Sequence, residues 1–173
     1  MINKLIKTEE DYSLVLSRIE DLMALHKKVD QLTRKVDQLS KAWAVTNLSP
    51  YATTPWLPGL LALQLTRNTG AAFSLFSGHT ELLGLVSLLV GVGVAFWIQR
   101  QAAMPLPRWL GLGCLLGGAI GNGLDRWRLG YVVDFLALVP ISFPVFNLAD
   151  VAINLAVLCF AIDLLGRHGQ PQA

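Results

Sequence analysis

Charge is distributed so unevenly along this chain that it divides the molecule before any motif is read. Residues 1–41 carry eight of the fourteen Lys/Arg and seven of the twelve Asp/Glu, which leaves eleven charges for the other 132 residues. Three apolar runs fill much of that remainder: Leu82–Ile98, seventeen residues without a charge; Trp109–Leu124; and Val151–Leu165, interrupted only by Asn154 and Asp163. Each is at the short end of the ~18–20 residues that a membrane helix needs, and each can cross with help from its flanks. The middle run holds glycines 111, 113, 117, 118, 121 and 123, and small residues at such spacing let membrane helices pack closely. A chain that is 53% hydrophobic and 15% charged is too apolar for an ordinary soluble domain of this size. The expected partner is a phospholipid bilayer. A net charge of +2 with no basic–aromatic patch argues against nucleic acid.

The polar opening reads as a helix. Tyr12, Val15, Ile19, Leu22, Leu25, Val29, Leu32, Val36, Leu39 and Trp43 follow one another at steps of three and four, with one additional three that resembles a coiled-coil stammer. Lys28–Arg34 and Lys35–Lys41 nearly repeat a heptad. Two readings stay open: a partner or self-association helix, or an amphipathic helix lying on its own domain or on the membrane surface. It cannot span a bilayer unaided, because no stretch approaches the required uncharged length. The first residues are charged rather than apolar, so no secretory signal peptide is read there.

Between these parts the pattern turns to short elements. Asn47–Pro58 reads as a connector, Leu61–Leu65 as a half-buried strand, Arg67–Gly70 as a turn, and Ala71–Phe76 as a second strand. Asp125–Asn147 is too polar for lipid and too apolar for a free loop. Its alternation from Tyr131 to Phe146 predicts strands at the membrane surface that pair with Leu61–Phe76. Arg100, Arg108 and Arg167 place the loop between the first two runs, and the C-terminus, in the cytoplasm. Arg126 and Arg128 oppose that assignment unless paired locally, and Asp125 is the obvious partner. Cys114 and Cys159 read as small buried hydrophobes. His26, His79 and His168 have no ligand spacing, so neither a metal site nor a cofactor is expected.

Chemistry gathers on two aspartates, Asp134 and Asp150, sixteen residues apart at the edge of this apolar region. Ionisable groups beside a bilayer are functional-site candidates by default. Two carboxylates that share one proton can supply both a base for water and an acid for a leaving amine. The bland alternatives are that Asp150 caps the last helix and that Asp134 is a solvent-facing strand residue. Asp163 reads as interfacial.

Four blocks then occur in order: Asn68-Thr-Gly-Ala-Ala-Phe-Ser74, Gly121-Asn122-Gly-Leu-Asp125-Arg126, Val132-Val-Asp134-Phe135 and Phe146-Asn147-Leu-Ala-Asp150. Together with Asp37-Gln-Leu-Ser-Lys41-Ala-Trp43 they resemble the lipoprotein signal peptidase family, also called signal peptidase II. The resemblance implies a bacterial inner-membrane aspartyl endopeptidase. Such an enzyme removes signal peptides from diacylglyceryl-modified prolipoproteins, cutting before the lipidated cysteine at the outer face. It implies catalytic roles for Asp134 and Asp150, and substrate-binding or supporting roles for Asn68, Asn122, Asp125, Arg126, Asn147, Asp37 and Lys41. The alternative is an inactive homologue or membrane scaffold that binds lipidated peptides. A transporter is disfavoured, since the aspartates sit at span edges and not at a midplane.

The N-terminus departs from the family's pattern of four membrane helices. In place of the apolar half before Asp37 stands Leu25-His-Lys-Lys-Val-Asp-Gln-Leu-Thr-Arg-Lys35. The resulting expectation is an all-α membrane bundle with three clear apolar spans, an N-terminal polar helix in place of the first span, and a small β element at the outer surface. Residues 1–36 form the polar helix, 37–168 the peptidase-like membrane domain and 169–173 a tail.

Overall fold

The computed structural model describes residues 9–50, 52–71, 75–101 and 104–168. Four helices and three strands follow in order: α1 (Glu9–Asn47), β1 (Thr53–Leu57), β2 (Leu61–Asn68), α2 (Thr80–Gln99), α3 (Leu106–Leu129), β3 (Val132–Leu138) and α4 (Leu148–His168). The helices form a bundle around α3, and the strands form one antiparallel sheet in the order β1-β2-β3.

Glycine decides why α3 is central. A Cβ at Gly113 or Gly117 would fall within 3 Å of Val29 or Thr33, and one at Gly121 would sit 2.6 Å from Asp37 Oδ2. These positions, four residues apart, form a ridge without side chains along which α1 runs parallel to α3. The opposite side of α3 takes α4, where Gly118 lies against Ala149 and Ile153 and Gly111 against Phe160. α2 packs antiparallel on a third side, Gly123 meeting Ser87. The close packing expected of the glycine-rich run is present, and Cys114 and Cys159 are half-buried free thiols within it.

By length and composition α2 and α4 can cross a membrane, and they carry the first and third apolar runs. α3 does not meet that test: its glycines, Asn122 and Arg108 dilute the run. Three clear spans are therefore not evident among the described residues.

α1 turns its polar side inward. His26, Asp30, Asp37, Lys41 and Ala44 are buried, whereas Leu32 and Leu39 are 63% and 70% exposed and Val36 and Trp43 are also outward. The apolar seam joins the core only lower down, where Leu22 and Met23 pack with Ile98, Met104, Trp109 and Leu112. An outward apolar stripe over a polar interior is the reverse of a water-soluble amphipathic helix. α1 packs on its own domain, through seam residues Leu22 and Val29 lower down and through its polar face from Asp30 to Lys41.

The sheet differs from expectation in one partner. β2 pairs with β3 as anticipated, Thr66 opposite Asp134 and Asn68 opposite Val132. Its other neighbour is β1, inside the stretch read as a connector. Pro58-Gly59 closes this hairpin, with Gly59 at φ +74 and Leu60 N–H donating to Leu57 O at 3.0 Å; a Pro–Gly pair suits a turn that needs positive φ at its second position. Of the segment read as a second strand, Leu75 and Phe76 lie in a turn and 72–74 fall outside the described residues. β3 ends at Leu138; the Val139 N–H still donates to Leu60 O at 3.0 Å, and on the other edge Leu136 forms an isolated bridge with Phe146. Ala44, Phe135 and Leu136 form a second core beneath the sheet.

Candidate active site

Local chain geometry delivers each group to one place. α3 ends on Gly130, whose φ of 78 supplies the left-handed cap, its N–H bonding Arg126 O at 3.1 Å. The chain reverses at once into β3, so the last turns of α3 lie beside Asp134. At the other border, the Asp150 N–H donates to Asn147 Oδ1 at 3.0 Å and the Asn147 N–H donates to Asp150 Oδ2 at 3.2 Å. This reciprocal pair starts α4 in the manner of a capping box, so Asp150 does help to cap the last helix.

Asp134 is 1% exposed, which removes the solvent-facing alternative. Asn68 Nδ2 donates to its Oδ2 at 2.9 Å and Asn147 Nδ2 to its Oδ1 at 2.6 Å. Burial pushes its carboxyl up to about 6; the Asn68 amide opposes the rise and the nearby Asp150 charge adds to it. Asp150 accepts from Asn122 Nδ2 at 2.8 Å. Asn122 Oδ1 in turn accepts from Lys41 Nζ at 2.9 Å and Asn147 Nδ2 at 3.1 Å.

Lys41 connects this layer to α1. Its ammonium lies 2.9 Å from Asp37 and from Asp125, and all three side chains are at most 4% exposed. Asp37 also accepts the Ala149 N–H, and Asp125 accepts the Val133 N–H, so one buried cluster ties α1 and α3 to the starts of α4 and β3. Asp125 therefore pairs with Lys41 and not, as the sequence suggested, with Arg126. Arg126 instead donates to Gly70 O at 3.0 Å and Asn122 O at 3.4 Å.

All nine residues singled out by sequence thus lie in one continuous network. Gln38 was missed: its amide donates to Asp125 Oδ1 at 2.9 Å, with Asp37 Oδ2 and Gly121 O also within reach. The missed signal is the polar stripe His26, Asp30, Thr33, Asp37, Lys41, at helical steps beside the apolar seam. Asp163, read as interfacial, is ion-paired with Arg108 across α4 and α3.

Asp134 and Asp150 open onto a cavity of about 630 Å³. Asn68, Asn122 and Arg126 form its polar end, while Phe143, Phe146, Val151, Leu155 and Leu158 make the walls apolar. Val151, Leu155 and Leu158 form a stripe running down α4 from Asp150, each at least 36% exposed. Two carboxyls held by amides at the end of an apolar lane can hydrolyse an amide bond with water alone.

The comparisons agree with this geometry. The profile of the family described as Signal peptidase (SPase) II matches residues 32–166. A protein named lipoprotein signal peptidase from Parasynechococcus marenigrum (strain WH8102) is 53% identical over 139 residues, 78% of this chain and 87% of that one. Another of the same name from Synechococcus sp. (strain RCC307) is 55% identical over 135 residues, covering 77% and 89%. Two solved bacterial membrane enzymes share the fold, at TM-scores of 0.80 and 0.74 with 24% and 26% identity; they match 86% and 82% of this chain and 92% and 93% of their own. Family and fold point the same way, and the chain belongs to the signal peptidase II family of bacterial membrane proteases.

Proposed function

We propose that this chain is a membrane aspartyl endopeptidase that removes the signal peptide from diacylglyceryl-modified prolipoproteins, cutting before the lipidated cysteine. The observation that carries the reading is the convergence of Asp134 and Asp150, each braced by asparagine amides, at the head of an apolar lane along α4. The ionised member of the pair takes a proton from water as its oxygen attacks the scissile carbonyl. The protonated member gives its proton to the cysteine nitrogen as the C–N bond breaks. The products are the signal peptide's carboxyl group and the cysteine amine, and the pair again holds one proton. The lane suits an apolar substrate presented from a bilayer.

The membrane topology is part of the proposal. α1 and α3 run parallel and α2 and α4 antiparallel to them, which supports an up-down-up-down bundle in the inner membrane, with 37–168 as the peptidase domain. α1 crosses beside α3 from about Val29 because its polar groups are paired inward. Lys28 and Lys35 extend their stems toward the cytoplasmic surface. The sheet and Asp134 then lie at the outer face.

Cleavage of a diacylglyceryl-modified prolipoprotein by the intact chain tests the reaction. Asp134→Asn and Asp150→Asn each abolish cleavage, and retained activity in either sinks the dyad. Cysteine labelling at Ser13 and Ser77 tests topology: Ser13→Cys reacts from the cytoplasm and Ser77→Cys from outside.

A further inference from the structure

Lys41 reaches Asp134 only through its charge, with no hydrogen bond or ion pair to either aspartate, yet it governs an amide that does bond one of them. Its three N–H groups meet three acceptors at 2.9 Å: Asp37 Oδ2, Asp125 Oδ2 and Asn122 Oδ1. An ammonium has no lone pair, so only the oxygen of Asn122 can face it. Turning that carboxamide over would aim its NH2 at Lys41 and at the NH2 of Asn147, two donor–donor contacts in a site where Asn122 is 7% exposed. The orientation of Asn147 is determined separately, because its Oδ1 accepts the Asp150 N–H at 3.0 Å. The Asn122 NH2 is thereby committed to Asp150 Oδ1 at 2.8 Å.

The consequence falls unequally on the two carboxyls. Asp150 sits in the first turn of α4, where the helix N-terminus favours negative charge, and receives both a backbone N–H and the oriented amide. Asp134, on β3, is more deeply buried and is braced by neutral side-chain amides alone. The charged groups around Asp150 are Asp134 from β3, Asp125 and Arg126 from α3, and Lys41 with its partner Asp37 from α1. α4 itself adds no other ionisable group near its start.

We propose that Lys41 is a positioning residue: by orienting the Asn122 carboxamide it keeps Asp150 as the ionised, water-activating member of the pair and leaves the shared proton on Asp134. This rests on the dyad reading above and assigns the two roles within it.

The test is the pH dependence of kcat/KM for cleavage of a diacylglyceryl-modified prolipoprotein by the full chain in proteoliposomes. Lys41→Gln replaces a pure donor with a group that also accepts, which leaves Asn147 Nδ2, at the longer 3.1 Å, as the one remaining orienting donor to the Asn122 amide. The acid limb of the profile then moves up by about one pH unit, the size of one lost hydrogen bond to a charged group. Lys41→Arg, again a pure donor, moves it less. Should Lys41→Gln not fold, Asn122→Asp still accepts from Lys41 and Asn147 but presents an oxygen to Asp150, and it shifts the same limb upward. Loss of amplitude or of Tm with the limb in place, in whichever variant folds, overturns the assignment. Cleavage surviving in Asp134→Asn or Asp150→Asn would instead defeat the dyad itself.

Discussion

Asn147 and Asp150 hold each other through their own backbones, each side chain accepting the other's N–H at 3.0 and 3.2 Å. The spacing that starts α4 is therefore the spacing that aims Asp150, and the free end of Asn147 reaches Asp134 at 2.6 Å. Helix start and aspartate pair are one construction.

Substitution at this position separates the two roles. Asn147→Ala removes the cap and lowers stability by about 1–2 kcal/mol. Asn147→Ser keeps a capping oxygen but cannot reach Asp134. Thermal unfolding in detergent should show Ser restoring most of the stability, while cleavage stays at least tenfold reduced in both variants.

Asp134 makes stability depend on pH with a defined sign. Its carboxyl is raised from 3.8 to about 6 in the folded chain. The folded state therefore binds more protons than the unfolded state between those values. The contribution is full below about pH 4 and is lost as pH rises through about 6. The Tm of the parent chain minus that of Asp134→Asn should fall across this window and flatten above it. In activity, the alkaline limb should lie at or above about pH 6, beyond the ordinary carboxylate range.

Gly117→Val tests the α1–α3 contact. A Cβ there meets Thr33 Cβ at 2.6 Å and the Asp30 carbonyl oxygen at 3.0 Å, and the second neighbour is backbone that cannot rotate away. The helices must separate, at a cost of about 1–3 kcal/mol or more. Gly93→Val, with no atom within 4 Å, is the control and should leave Tm unchanged within about 1 kcal/mol.

Arg108 and Asp163 join α3 to α4 far from the aspartate pair, with both side chains mostly buried. Arg108→Ala and Asp163→Ala should each lower Tm. A double-mutant cycle should return a coupling above about 0.5 kcal/mol, with KM unaffected. Additive losses would show the pair to be independent.

Much of this site was legible from residue order alone. Asp134 and Asp150 stand out as carboxylates at the edge of the apolar region, and Asn68, Asn122 and Asn147 come from the resemblance of their blocks to the signal peptidase II family. The pairing of β2 with β3 followed from the alternation between Tyr131 and Phe146. β1 was hidden because Pro55, Pro58 and Gly59 outweigh the strand formers around them. Asp125 was assigned to its sequence neighbour Arg126 because nothing local announces Lys41, more than eighty positions away, as the ammonium that reaches it.

Sequence by itself determined the apolar runs and the glycine-rich run, and its resemblance to a family supplied the set of polar residues expected to meet. It also determined that α1 has two faces, one with Leu32, Val36, Leu39 and Trp43, the other with Asp30, Asp37 and Lys41. Which face turns inward was decided only by the tertiary structure. Periodicity measures the contrast between helix faces and carries no sign, and the sign depends on what surrounds the bundle. Here the glycines of α3 leave room for side chains of α1, and the buried carboxylates of Asp37 and Asp125 require a cation. Lys41 goes inside, and the leucines face out.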